Sequence, residues 1–181
     1  MTLRTERLVL RGWRDDDLDS LARLDADPEV MRYILDGAVW DRRRSAEGLR
    51  KMVGEWEELG YGRFAVEVGA TGELIGWAGL AVPSFLPEVM PAVEIGWRLA
   101  RGSWGKGYAT EAAAAALRFG FEECGLERVV SIRHVENVRS GRVMEKLGLS
   151  YEFETVVPGH GQPVAVYALT KGRWTDNAVA C

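Results

Sequence analysis

Hydrophobic residues recur in two rhythms along this 181-residue chain, and the change between them sets out its elements. Near the start, Leu8, Val9 and Leu10 form a short apolar run that predicts a strand and ends in the polar stretch Arg14-Asp15-Asp16-Asp17. Those aspartates suit the start of a helix through Leu18, Leu21 and Leu24, where carboxylates cap free amides and meet the positive end of the dipole. Pro28 fits the first turn of a short helix carrying Val30, Met31 and Ile34. After Ser45, the residues Leu49, Met52, Val53 and Trp56 fall on one helical stripe that stops near Gly60.

The period then shortens. Residues 64–68 and 74–80 read as strands joined by a glycine-containing turn at 69–73. A loop with Pro83, Pro87 and Pro91 leads to a third strand at 93–99, and a glycine-rich loop at 102–107 opens the alanine-rich helix beginning at Thr110. Gly125 ends that helix. A strand at 129–133, a helix at 138–147 closed by Gly148, and strands at 151–157 and 164–169 complete the chain. With no linker or repeat, this order predicts one domain over residues 1–181, an α/β or α+β sandwich with helices on both faces of a sheet.

Composition narrows the function. Twenty-three basic against 27 acidic residues leave a net charge of −4, which lacks the dense basic surface that nucleic acid requires. Cys124 and Cys181 make neither a disulfide framework nor a zinc spacing, so no metal site is expected. The opening MTLRTERLVLRGW has no apolar core of a signal peptide, and no run approaches a membrane span. A cytoplasmic protein without a membrane partner is the expectation.

The informative segment is the strand ending Glu94-Ile95-Gly96-Trp97-Arg98-Leu99 and the loop Trp104-Gly105-Lys106-Gly107-Tyr108-Ala109-Thr110 that opens the next helix. The first amides of a helix have no internal partners and carry the positive dipole end, so they suit an anion; glycines let its bulk approach. A nucleotide loop of the Walker type fails because Gly107, not Ser or Thr, follows Lys106. The dinucleotide fingerprint fails because Thr110 stands where its third glycine belongs. A tight helix entry with no ligand is the other reading of the loop.

Taken with Asn137-Val138-Arg139-Ser140 and the ending Lys146-Leu147-Gly148, the string WGKGYATEA resembles the GNAT superfamily of acetyltransferases, in particular its RimJ/RimL-like branch, which acetylates ribosomal-protein N-termini. The likeness extends over nearly the whole chain. It implies a mixed, mostly antiparallel central sheet and acetyl-coenzyme A as acyl donor. The acceptor is then a primary amine, on a peptide N-terminus or a small molecule, attacked directly in a ternary complex; a homodimer is compatible. By the same resemblance, Trp97, Arg98 and Leu99 bind pantetheine through backbone bonds, residues 104–110 (Trp104, Gly105, Lys106, Gly107, Tyr108, Ala109 and Thr110) bind pyrophosphate, and Asn137 bonds the pantetheine arm. Asn137 also suits a helix cap. Lys106 adds charge to a phosphate or is a solvated loop residue.

Amine acetylation needs a group that removes the ammonium proton, whose ordinary pKa is near 10. Strand alternation sets Glu94, Gly96 and Arg98 on one face and Val93, Ile95, Trp97 and Leu99 on the other, making Glu94 the leading base candidate, or else an ion-pair partner of Arg98. Where many superfamily members place an acidic tyrosine for the leaving thiolate, the register gives Met144; Ser140, one turn earlier, is the candidate acid or a small residue that permits close approach. His134 and His160 read as structural. A catalytically weak acyl-coenzyme A-binding module is the alternative.

Overall fold

The computed structural model describes residues 1–174. An eight-stranded sheet is its centre: β1 (Thr2–Arg4), β2 (Leu8–Arg11), β3 (Arg63–Val68), β4 (Leu74–Ala81), β5 (Glu94–Leu99), β6 (Arg128–His134), β7 (Ser150–Val156) and β8 (Pro163–Thr170). The order is β1-β2-β3-β4-β5-β6-β8-β7, and every neighbouring pair is antiparallel except β5 with β6. The helices are α1 (Leu18–Asp25), α2 (Pro28–Met31), α3 (Arg42–Leu59), α4 (Tyr108–Glu122) and α5 (Val138–Lys146).

Helices cover both faces, as the pattern predicted. On one side the alanine stripe of α4 (Ala112, Ala113, Ala116) lies on Phe64, Ile75, Leu80 and Ile95, small residues letting the helix seat close to the sheet. On the other, Leu21 and Leu24 of α1 and Leu49 and Met52 of α3 enclose Trp77 of β4. Alternation along β5 holds: Ile95 and Leu99 enter the α4 core, while Gly96 faces Trp77.

Several boundaries differ from the expectation for local reasons. β1 was not predicted; its three residues pair with β2 but form too short a run to show a period. Helix α3 begins at Arg42, because Asp41 accepts from the Arg44 amide and caps it, and Ser45 is a buried helical residue instead of the start. Asp15–Asp17 form a 3₁₀ turn, and Asp17 spends its carboxylate on Arg11 and the Arg14 amide instead of capping α1. Helix α4 starts two residues early, at Tyr108. Cys124 is a free, half-buried thiol, and Cys181 lies outside the described residues. Among the described residues no helix is long and apolar enough to cross a membrane, and no group of three acidic, histidine or cysteine side chains is arranged to hold a metal.

Candidate active site

The site begins where β5 and β6 part. They share a single register pair, Glu94 with Val130, closed by the Val130 amide on the Val93 carbonyl at 2.9 Å. Beyond it the Ser131 hydroxyl donates to the Ile95 carbonyl (2.8 Å), and the strands diverge. On its other side β5 pairs with β4, and the Ala100 amide on the Ile75 carbonyl fixes the phase of that ladder. Antiparallel alternation then turns the backbone groups of Gly96 and Arg98 toward β4, and the Trp97 N–H and C=O and the Leu99 N–H toward the gap. The Leu99 carbonyl is already taken by the Trp104 indole N–H (2.8 Å).

A cavity of about 1100 Å³ opens from this gap. Of the sequence candidates, Glu94, Trp97, Arg98, Leu99, Trp104, Gly105, Gly107, Tyr108, Ala109, Thr110, Asn137 and Ser140 all line it. Lys106 does not; its contribution is a carbonyl that accepts from Arg7 (2.9 Å). Gly105 and Gly107 both hold left-handed backbone (φ 75° and 82°), and no side chain caps the amides of α4. Left-handed turns ahead of uncapped helix amides form a concavity suited to an oxyanion. Arg139 and Arg142 of α5 border the same space. A phosphate at the loop with an extended, amide-bearing arm in the gap fits this shape.

The loop is held by residues the sequence did not single out. Arg7 donates to Glu111 (2.7 Å) and to the Lys106 carbonyl, and the Thr5 hydroxyl donates to Glu111 (2.6 Å). Burial pushes the Glu111 carboxyl up, but the bonds from Thr5 and Arg7 outweigh it and hold the carboxyl below its ordinary value. The only sequence signal was a glutamate in the first turn of an alanine-rich helix.

At the other end stands Glu94. Burial pushes its carboxyl up to about 7, against the opposing pull of the Arg63 charge and the Ile132 amide. It does not pair with Arg98, whose guanidinium donates instead to Asp25 (2.6 Å), itself buried at 1% exposure and bonded by Ser45 (2.9 Å). The Arg98 guanidinium lies over the rings of both Trp40 (5.2 Å) and Trp77 (5.3 Å), and Arg44 and Arg63 lie over the same two rings respectively. Burial lowers the Arg98 pKa, and Asp25 opposes that shift.

Two other expectations resolve. Asn137 caps α5, accepting from the Ser140 amide at 3.2 Å, and still borders the cavity. Met144 is turned into the core at 1% exposure, so the register position of the missing tyrosine does not face the cavity, whereas Ser140 does. His134 accepts the Glu136 amide at Nδ1 and pairs with Gln162 through Nε2, leaving neither nitrogen free to act as a base.

The acetyltransferase (GNAT) domain profile matches residues 7–150. The chain belongs to the GNAT acetyltransferase family. It is similar to the Bacillus subtilis protein YkkB, at 36% identity over 90% of this chain and 92% of the relative. The FsC-acetyl coenzyme A-N(2)-transacetylase of Aspergillus fumigatus is 32% identical over 96% of this chain and 77% of its own length. An acetyltransferase structure from Agrobacterium tumefaciens str. C58 superposes with a TM-score of 0.79 at 30% identity, covering 92% of this chain and 94% of that one. The GNAT protein is therefore an acyltransferase that uses acetyl-coenzyme A.

Proposed function

We propose that this GNAT enzyme acetylates a primary amine by direct attack in a ternary complex, with Glu94 as the base, and that it is a RimJ/RimL-like member acting as one domain. The observation that carries the reading is a cavity-facing carboxyl, held near pKa 7 by burial, at the point where β5 leaves β6. A group of that basicity is poised to take a proton at neutral pH. The WGKGYATEA and Asn137 to Gly148 segments support the branch assignment, and the name of the Aspergillus relative gives acetyl coenzyme A as donor and a nitrogen as acceptor.

Bound acetyl-coenzyme A supplies a thioester carbonyl carbon and a thiolate leaving group. The amides of residues 105–110 hold its pyrophosphate, and the Trp97 and Leu99 backbone groups extend β5 with the pantetheine arm. Asn137 offers its amide nitrogen to the same arm while its oxygen caps α5. Glu94 accepts the ammonium proton, directly or through one water, freeing the nitrogen lone pair. The new C–N bond forms as the C–S bond breaks, and the Trp97 N–H stabilises negative charge on the acyl oxygen. Ser140 relays to the departing sulfur the second proton, which the newly acylated nitrogen gives up, and so keeps its own hydroxyl; the contribution is small because a thiol of pKa about 8.5 leaves readily.

Acetylation of a panel of amines and peptides, followed by mass spectrometry, tests the reading. Glu94→Gln is expected to lower kcat/KM by about 10²–10⁴-fold with coenzyme A affinity intact. Equal rates in the variant remove Glu94 as base. Tight coenzyme A binding with no turnover on any amine makes the chain a binding module instead.

A further inference from the structure

We propose that the acceptor is an amine that also carries a carboxylate, and that Arg98 receives the carboxylate while the amine faces Glu94. This rests on the amine-acetylation reading and names the substrate class of that same site.

The cavity face of β5 presents three positions in sequence: the carboxyl of Glu94, the bare backbone of Gly96, and the guanidinium of Arg98. Arg98 is nine-tenths buried, and one of its terminal nitrogens is committed to Asp25. Its Nε–H has no hydrogen-bond partner, and neither does the indole N–H of Trp40, whose ring lies against the guanidinium. Both residues line the cavity, but the two nitrogens are themselves covered, so a carboxylate reaches them only when a neighbouring side chain shifts aside. Two adjacent buried donors therefore lack an acceptor, an arrangement that costs about 1–3 kcal/mol per group, more for the charged one. A planar carboxylate supplies two acceptor oxygens of the geometry that a guanidinium fork matches.

The support around Arg98 suits recognition more than stability, since a buried ion pair contributes little that an apolar pair of the same shape would not. Asp25 and Ser45 hold the guanidinium in place, so Asp25 is a positioning residue, and the Trp40 and Trp77 rings pack against it. A second ammonium at that end would meet the Arg98 and Arg63 charges, which share the Trp77 ring, and Asp25 there is already paired with Arg98. Besides Glu94, the other acidic side chains along the cavity are Glu29 and Glu136. That disfavours an acceptor whose second charge is positive. Four residues of strand span about 13 Å. A hydrogen bond of ~3 Å at each end leaves roughly 7 Å between the amine and the acid, which matches an amino acid whose two groups lie several bonds apart.

The test compares three probes of one length on the full chain with acetyl-coenzyme A: 6-aminohexanoate, hexylamine and 1,6-diaminohexane. The amino acid is expected to have at least a tenfold higher kcat/KM than hexylamine, mostly through KM, with the diamine lowest. Arg98→Lys keeps a positive charge beside Asp25 but loses Nε and the fork, and should bring that ratio toward one. Trp40→Phe keeps the ring contact, loses the donor, and should lower the ratio a few-fold. A wild-type ratio near one, or a preference for the diamine, overturns the proposal and leaves acetyl transfer standing. A ratio that survives both substitutions removes Arg98 from acceptor recognition. Failure on all three probes, with turnover of another amine or peptide in the panel, defeats the inference alone; no turnover of any amine or peptide while coenzyme A binds defeats the transfer reading as well.

Discussion

The two ends of the cavity are built from different materials. The donor end is contiguous and made of backbone: the edge of β5, the turns at Gly105 and Gly107, and the first amides of α4. The acceptor end is made of side chains from separated segments, with Asp25 from α1, Trp40 from the loop before α3, Arg63 from β3, Trp77 from β4, and Glu94 and Arg98 from β5. A backbone cradle accepts one invariant ligand and tolerates most side chains around it. A side-chain cage can be re-tuned residue by residue, which lets one donor serve many acceptors.

The contrast can be broken experimentally, most severely at the acceptor end. Asp25→Ala strands a buried guanidinium, and we expect a stability loss of about 3–5 kcal/mol in urea unfolding. A loss under about 1 kcal/mol would mean that solvent already reaches Arg98. Next is pH. Because the Glu94 carboxyl sits near 7 rather than 4.5, kcat/KM should climb close to tenfold per unit below pH 7 and level off above it, a limb absent in Glu94→Gln. The linked stability runs the opposite way. A carboxyl whose folded value is raised contributes fully below about 4.5 and loses that contribution as pH rises through about 7. Urea midpoints of wild type and Glu94→Gln across that window check the sign.

Smaller effects belong to the donor end. Glu111→Gln loosens the contacts from Thr5 and Arg7 and should weaken coenzyme A binding by about tenfold, in line with the ~1.5 kcal/mol of a charge-assisted bond. Calorimetric titration would show it, and an unchanged Kd would mean that the loop holds its shape unaided. Gly105→Ala tests backbone alone, since a Cβ there meets nothing within 4 Å. Its left-handed φ should cost ~1 kcal/mol, or about fivefold in affinity. Gly105→Asn should cost less, because asparagine tolerates that conformation.

This division also explains what was legible beforehand. The glycine spacing, the alanine stripe and the alternation of β5 are local patterns, so the sheet, α4 and the glycine turns ahead of it could be read from sequence. The face shared by Glu94 and Arg98 was legible too, but their pairing was not. Arg98 turns to Asp25, 73 positions away, and nothing near either residue records that contact. Sequence alone reads Trp77 as core mass and leaves Trp40, which the resemblance sets in the acceptor region, with packing as its default, since an aromatic ring in a helical or strand pattern looks the same whether it packs or lines a cavity. The role of Met144 depended on the rotation of α5, which a family register does not fix.

The clasp of Arg7 and Thr5 on Glu111 has a thermodynamic corollary. It joins the turn between β1 and β2 to the first turn of α4, more than a hundred positions further on. Linkage is reciprocal, so whatever steadies the glycine turn through this clasp must steady the outer margin of the sheet by the same free energy. With the donor seated at that turn as proposed, its binding and the stability of that three-residue border strand are coupled through Glu111.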